Sequence, residues 1–259
     1  GVDLSAPDDS QVSAINNALL ENEMLVFRDQ DITAAQFMDF GRKFGELTVS
    51  PFSPTHDDNP ELIILDYHKE NPPRLTDNWH SDETFRETPP KATMLHGVEL
   101  PRQGGDTWFA NMRLAYEELP GALKHRVEGL DAIHAYRESR EIMSRDERGA
   151  EMLSDEQERA TGIVHPVVRT HDERGSRSIY INPLRIKRFI GMGPDDSTDL
   201  LAELTAHATG DAFTHAHAWA RGDVVLWDNR QSLHRVEHNY DLAEKRLMHR
   251  IILKGDAPK

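Results

Sequence analysis

Apolar residues open the chain at helical spacing. Val12, Ile15 and Leu19 recur within residues 8–23, with Asp8, Asp9 and Ser10 ahead of them as cap candidates. The run Met24–Phe27 predicts a short buried strand. Thr33 and Gln36 have the spacing of a capping box, Phe37, Phe40 and Phe44 then fall on one helical face, and Gly45 is placed to end that helix. From there strands dominate. Residues 61–67 and 91–100 read as strands, and a loop with Pro72-Pro73 lies between them. Gly104-Gly105 turns the chain into a strand edge, and residues 112–130 read as helix broken at Pro120-Gly121. A strand over 131–138 is followed by a charged, apolar-poor stretch, 138–163, which reads as an excursion or lid. Residues 165–171 and 177–182 predict a hairpin around 172–176, and 195–209 a helix capped at Asp196 or Ser197. Two strands flank a hairpin turn at Arg221-Gly222-Asp223, and 245–254 is the last strand.

With no internal repeat, low-complexity tract or linker, this order predicts one domain over 1–259, mainly β with flanking helices, of the sandwich or jelly-roll kind. A 259-residue chain that is 37% hydrophobic can bury a substantial core. Its net charge of −15 argues against nucleic acid or an anionic membrane as partner, since both reward basic surfaces. The chain has no Cys, so a metal here must take His, Asp or Glu. No apolar run approaches the ~18–20 residues that span a bilayer, and the N-terminus lacks the regions of a signal peptide, so a cytoplasmic location is expected.

Two segments carry chemistry. In "NWHSDETF", His80 and Asp82 stand at i and i+2 and share a face if the segment is extended. Two His and one carboxylate leave three positions open on Fe(II), so a third ligand must come from elsewhere among the chain's 14 His. Read without it, the pair is more often two surface polar residues than a metal site. In the last strand Arg246 and Arg250 share one face, and Leu247, His249 and Ile251 the other. On an outer face these arginines are solvated. On an inner face each needs an anion, because an unpaired buried guanidinium is costly.

The segments "WHSDETF…ETPPKATML", "GGDT", "VVRTH", "WDNRQSLH" and "RLMHR", in this order and spacing over nearly the whole chain, resemble the Fe(II)/2-oxoglutarate-dependent dioxygenases of the taurine dioxygenase and 2,4-dichlorophenoxyacetate dioxygenase family. The resemblance implies a double-stranded β-helix, a jelly-roll barrel with flanking helices. It implies that His80, Asp82 and His234 hold iron, that Arg246 and Thr107 bind 2-oxoglutarate, and that Arg250 pairs with the anionic group of the substrate. It further implies O2 as cosubstrate, succinate and CO2 as products, and a dimer or tetramer. Hydroxylation beside a sulfonate or ether oxygen would let the product collapse to a carbonyl compound.

At the positions where taurine-specific relatives carry a His, a Tyr and an Asn against the sulfonate, this chain has Ser50, Ser53 and Thr76, which implies a roomier or differently polar pocket. Tyr136 and Tyr180 stand where relatives place aromatic pocket walls, and are otherwise core aromatics. His215 and His217 alternate like a ligand pair that nothing downstream completes, and His238 and His249 take no implied role. Trp79 and Trp227 are expected to pack around the metal loops. The substrate expected is a small organic anion: a sulfonate, a sulfate ester, or an aryloxy or alkyl carboxylate. The alternatives are a taurine dioxygenase proper, a divalent-metal hydrolase, and a jelly-roll binding protein without turnover.

Overall fold

Asp8 caps helix α1 (Asp9–Asn22) by accepting from Gln11, whose side chain returns the bond, and Thr33 and Gln36 do the same for α2 (Ala34–Arg42). These reciprocal caps satisfy backbone donors that would otherwise be orphaned at each helix start. The computed structural model describes residues 1–50, 53–73, 76–136 and 162–259, so the expected lid lies outside the described residues up to 161; Ile163 already opens a strand. The remaining helices among the described residues are α3 (Met112–Glu117), α4 (Gly121–Val127) and α5 (Pro194–Ala208), with the break at Pro120 as expected. The cap of α5 differs from expectation. Gly193 is its N-cap and Pro194 its first residue, while Ser197 Oγ accepts from the N–H of Phe189. A proline with its φ already helical starts the helix earlier than the Asp–Ser signal suggests.

The chain is mainly β with some helices. Six strands form one sheet in the order β1 (Met24–Phe27), β12 (Val224–Asp228), β4 (Ala92–Glu99), β14 (Arg246–Leu253), β3 (Asn59–Tyr67) and β2 (Thr55–His56). A second sheet runs β11 (Thr214–His217), β5 (Thr107–Asn111), β13 (Ser232–Val236). A third joins β10 (Ile186–Phe189), β6 (Asp131–His134) and β7 (Ile163–Pro166), and β8 (Val168–Thr170) pairs with β9 (Arg177–Ile179) as the expected hairpin. Among the described residues none of these sheets closes on itself.

Three expectations change because pairing is tertiary. Met24–Phe27 is an edge strand and only half-buried. Thr107–Asn111 is the central strand of its sheet, not an edge. The Arg221–Asp223 turn is not a hairpin: β11 pairs with β5 and β12 with β1 and β4, so the turn carries the chain from one sheet to the other.

The face parity of β14 positions the site. Met248, between the two arginines, packs with Leu95, Val225 and Trp227 of the six-stranded sheet and with Phe109 of the second sheet, so this face looks between the sheets. Ile251 and Leu253, on the other face, join Phe37, Phe40, Ile15 and Leu19 under the helices α1 and α2. Fully burying an apolar side chain of this size is worth roughly 1.5–3 kcal/mol, which holds the register of β14 against a one-residue slip.

Candidate active site

His80 and His234, far apart in sequence, form an isolated antiparallel bridge: His80 N donates to His234 O at 3.0 Å and His234 N to His80 O at 2.8 Å. Residues paired this way project to the same face, and the two imidazole centroids lie 4.2 Å apart. The segment is not extended past His80. Asp82 begins a turn in which Glu83 takes a positive φ of 45°, an uncommon conformation for a non-glycine residue and one that accumulates at functional sites. Glu83 is held there by Ser50 Oγ, which donates to Oε1 at 3.0 Å, and by Arg86 Nε at 2.5 Å from Oε2.

One donor atom from each of His80, Asp82 and His234 falls within 4.8 Å of the others, the one such cluster among the described residues. His80 Nδ1 lies 2.8 Å from the carbonyl of Asn78 and donates to it, which leaves the Nε2 lone pair available. His234 Nε2 and Asp82 Oδ1 are 3.6 Å apart, too far for a hydrogen bond and a separation a cation between them would bridge. Burial lowers the pKa of both imidazoles, so they are neutral donors. Burial opposes ionisation of Asp82, but the adjacent Arg250 guanidinium, then His234, His80 and the Thr93 hydroxyl, hold its carboxyl below the usual carboxylate range. Two neutral imidazoles and one ionised carboxylate, without thiolate, fit Fe(II).

Asp82 is fixed from both sides. Thr93 Oγ1 donates to Oδ2 at 2.6 Å and Arg250 Nη2 to Oδ1 at 2.5 Å. His80, Asp82 and Arg250 line a cavity of ≈ 250 Å³, together with Ser50, Ser53, Thr76 and Tyr136. Tyr180 is not among its lining residues. It stacks on His134 with Arg169 over its ring at 5.2 Å, and burial pushes its hydroxyl up to about 12. Of the two readings of Tyr180, pocket wall or core aromatic, its burial and its stacking on His134 fit the second.

Arg246 and Thr107 lie outside that cavity. Arg246 is 2% exposed and forms no ion pair among the described residues; Nη2 reaches the Gly105 carbonyl at 3.3 Å and Nε has no partner. Burial lowers its pKa, so it is a desolvated cation lacking an anion. Gly105, at φ +77°, gives it room: a Cβ there would lie 3.1 Å from Arg246 Nε. Thr107 accepts from Trp219 Nε1 at 2.9 Å and pairs with Val236, two residues beyond His234 on β13.

Among the wall residues that sequence reasoning missed are Glu83, Phe85 and Arg185. The Arg185 guanidinium lies 4.8 Å from the Tyr136 ring centroid and 5.2 Å from that of Phe85. No motif surrounds Arg185, whereas Glu83 and Phe85 stood inside the segment that drew attention. His238, given no role, shares a 2.8 Å hydrogen bond with Thr76. His217 Nε2 lies 3.2 Å from a carboxylate oxygen of Asp223, and among the described residues it joins no second metal cluster. Trp227 packs on His234 at 4.8 Å, as expected.

Residues 1–252 match the model of a family described as "Taurine catabolism dioxygenase TauD, TfdA family". The chain is similar to the pentalenolactone F synthase of Streptomyces arenae, 31% identical with 97% of this chain and 89% of that protein covered. It is 33% identical to the alpha-ketoglutarate-dependent sulfate ester dioxygenase of Pseudomonas putida, covering 100% of this chain and 86% of that one. A crystal structure of a taurine dioxygenase from Burkholderia xenovorans superposes with a TM-score of 0.83 at 34% identity, covering 100% of this chain and 85% of the other.

Proposed function

The chain belongs to the TauD/TfdA family of 2-oxoglutarate-dependent dioxygenases, and on that premise we propose that it hydroxylates a C–H bond of a small organic anion, a sulfonate, sulfate ester or aryloxy or alkyl carboxylate. The observation that carries the reading is the His80–Asp82–His234 cluster beside a cavity that also holds Arg250.

His80, Asp82 and His234 hold Fe(II) in this reading. The iron and 2-oxoglutarate, when bound, supply the oxidising chemistry, with O2 consumed and succinate and CO2 released. Arg246, with Thr107, receives the distal carboxylate of 2-oxoglutarate, which gives the buried guanidinium its counter-ion. Arg250 receives the anionic group of the substrate, while Ser50, Ser53, Thr76 and Tyr136 shape the cavity around the reacting carbon and Phe85 and Leu65 exclude water from it. The same reading takes the two sheets that share the Phe109–Met248 core as the faces of a double-stranded β-helix, residues 1–259 as one dioxygenase domain, and a cytoplasmic dimer or tetramer as the working form.

Anaerobic titration with Fe(II) and 2-oxoglutarate tests the reading through the weak visible charge-transfer band of the chelate. Repeating it across alkyl sulfonates, sulfate esters and aryloxy acids identifies the class that shifts the band. No band in any condition would refute the iron chelate and favour a hydrolase or a binding protein.

A further inference from the structure

The carboxylate of Asp82 ends a chain of buried hydrogen bonds whose direction is fixed by donor chemistry. An indole N–H can only donate, so Trp227 Nε1, 2.9 Å from Asn229 Oδ1, assigns the amide oxygen to its side. The amide nitrogen then faces Thr93 Oγ1 at 2.9 Å and donates to it. The single hydroxyl hydrogen of Thr93 is left for Asp82 Oδ2 at 2.6 Å. All four residues are at most 5% exposed, so water does not substitute for any member. Asn229 is anchored beyond its amide. Its N–H donates to the Lys91 carbonyl at 2.9 Å, and its own carbonyl accepts from Ser81 Oγ, next to Asp82 in the chain, at 2.9 Å. Trp227, which starts the relay, also packs on His234.

We propose that Trp227, Asn229 and Thr93 form a positioning relay that reserves Oδ2 of Asp82 and so makes Oδ1 the metal-binding oxygen. This role rests on the iron site proposed above. Oδ1 is the oxygen that faces His234 Nε2, and it also accepts from Arg250, so Thr93 alone fixes the turn of the carboxylate from the Oδ2 side. With Oδ2 engaged, the carboxylate binds through one oxygen and leaves coordination positions open for a bidentate cosubstrate. A carboxylate held by Arg250 on Oδ1 alone would be able to turn its second oxygen toward one of those positions. The relay also needs the order of its members: reversing the polarity at residue 229 draws the Thr93 hydrogen away from Asp82.

The test uses Co(II) titration followed by calorimetry, and the anaerobic Fe(II)–2-oxoglutarate band, on the wild type and on Thr93→Val, Thr93→Ser and Asn229→Asp, with melting curves confirming the fold. Wild type that neither binds Co(II) nor forms the band overturns the iron site itself. Given a functional wild type, Thr93→Val weakens Co(II) binding at least about ten-fold, the scale of lost outer-shell partners, and shifts or abolishes the band. Thr93→Ser, which keeps the hydroxyl, stays near wild type. Asn229→Asp, which cannot donate to Thr93, behaves like Thr93→Val and decides the matter if that variant does not fold. Wild-type affinity and band in Asn229→Asp overturn the relay, and so does an equal loss in Thr93→Ser and Thr93→Val, which would assign the effect to packing.

Discussion

Arg250 donates to Oδ1 of Asp82 across 2.5 Å, so the guanidinium expected to receive a ligand anion shares an oxygen with the metal cluster. Arg246, four residues earlier on the same strand face, reaches the Gly105 carbonyl and lies over the Tyr240 ring, with no ion pair among the described residues. The two arginines therefore stand in different electrostatic settings, and their loss is expected to act on different reactants.

Arg250→Ala is expected to lower kcat/KM for the anionic substrate roughly 10- to 150-fold, the equivalent of one charge-assisted hydrogen bond of ~1.5–3 kcal/mol, with little change in KM for 2-oxoglutarate. Arg246→Ala is expected to raise KM for 2-oxoglutarate instead. Steady-state kinetics with each reactant varied in turn checks the division; exchanged effects would place the two roles the other way round.

His80→Ala and His234→Ala are each expected to abolish iron-dependent turnover and leave the fold intact. The bridge between them uses backbone groups, which the substitutions keep. Succinate assays beside far-ultraviolet circular dichroism check this, and full activity in either variant would remove that residue from the metal site.

Tyr136 and Tyr180 are expected to separate. Tyr136 lines the cavity and Tyr180 lies in the core. Tyr136→Ala should change the substrate profile, while Tyr180→Phe should keep it and change stability by no more than about 1–2 kcal/mol, the range of one buried hydroxyl. Substrate panels and chemical denaturation of both variants decide it.

Stability should fall below neutral pH. Burial pushes His134 down to about 3, and His217 and His249 to about 4. In the unfolded chain these imidazoles titrate near 6.5, so between that pH and 3–4 the unfolded state binds more protons and stability rises with pH. It is fully present above ~6.5 and drains away as pH drops toward the folded values. At pH 5 His134 alone accounts for about 2 kcal/mol of the loss. Urea denaturation of the metal-free protein from pH 7.5 to 5 measures the slope, and His134→Asn should flatten it.

Local features were legible in the chain where nearest neighbours decide them. The cap among Asp8, Asp9 and Ser10, the Thr33–Gln36 box, the break at Pro120 and the hairpin around residues 172–176 depend on residues a few positions apart. The motifs around His80, His234 and Arg246 were legible through resemblance, not through periodicity. Arg185 had no such mark, because its place on the cavity wall follows from packing against Phe85 and Tyr136.

By itself, then, the sequence determined most of the strand and helix segments, though not Thr55–His56, Ile186–Phe189 or Ser232–Val236, the absence of thiolate ligands, and the face parity that sends Arg246 and Arg250 the same way. Each follows from side-chain chemistry and the two-residue period of a strand. Only the tertiary structure decided that His80 and His234 pair across strands, that Tyr180 is core, that the Arg221–Asp223 turn changes sheets, and that Asp82 is held between Thr93 and Arg250. Those are contacts between segments distant in the chain, set by which strands pair and which faces bury, and no local pattern encodes them.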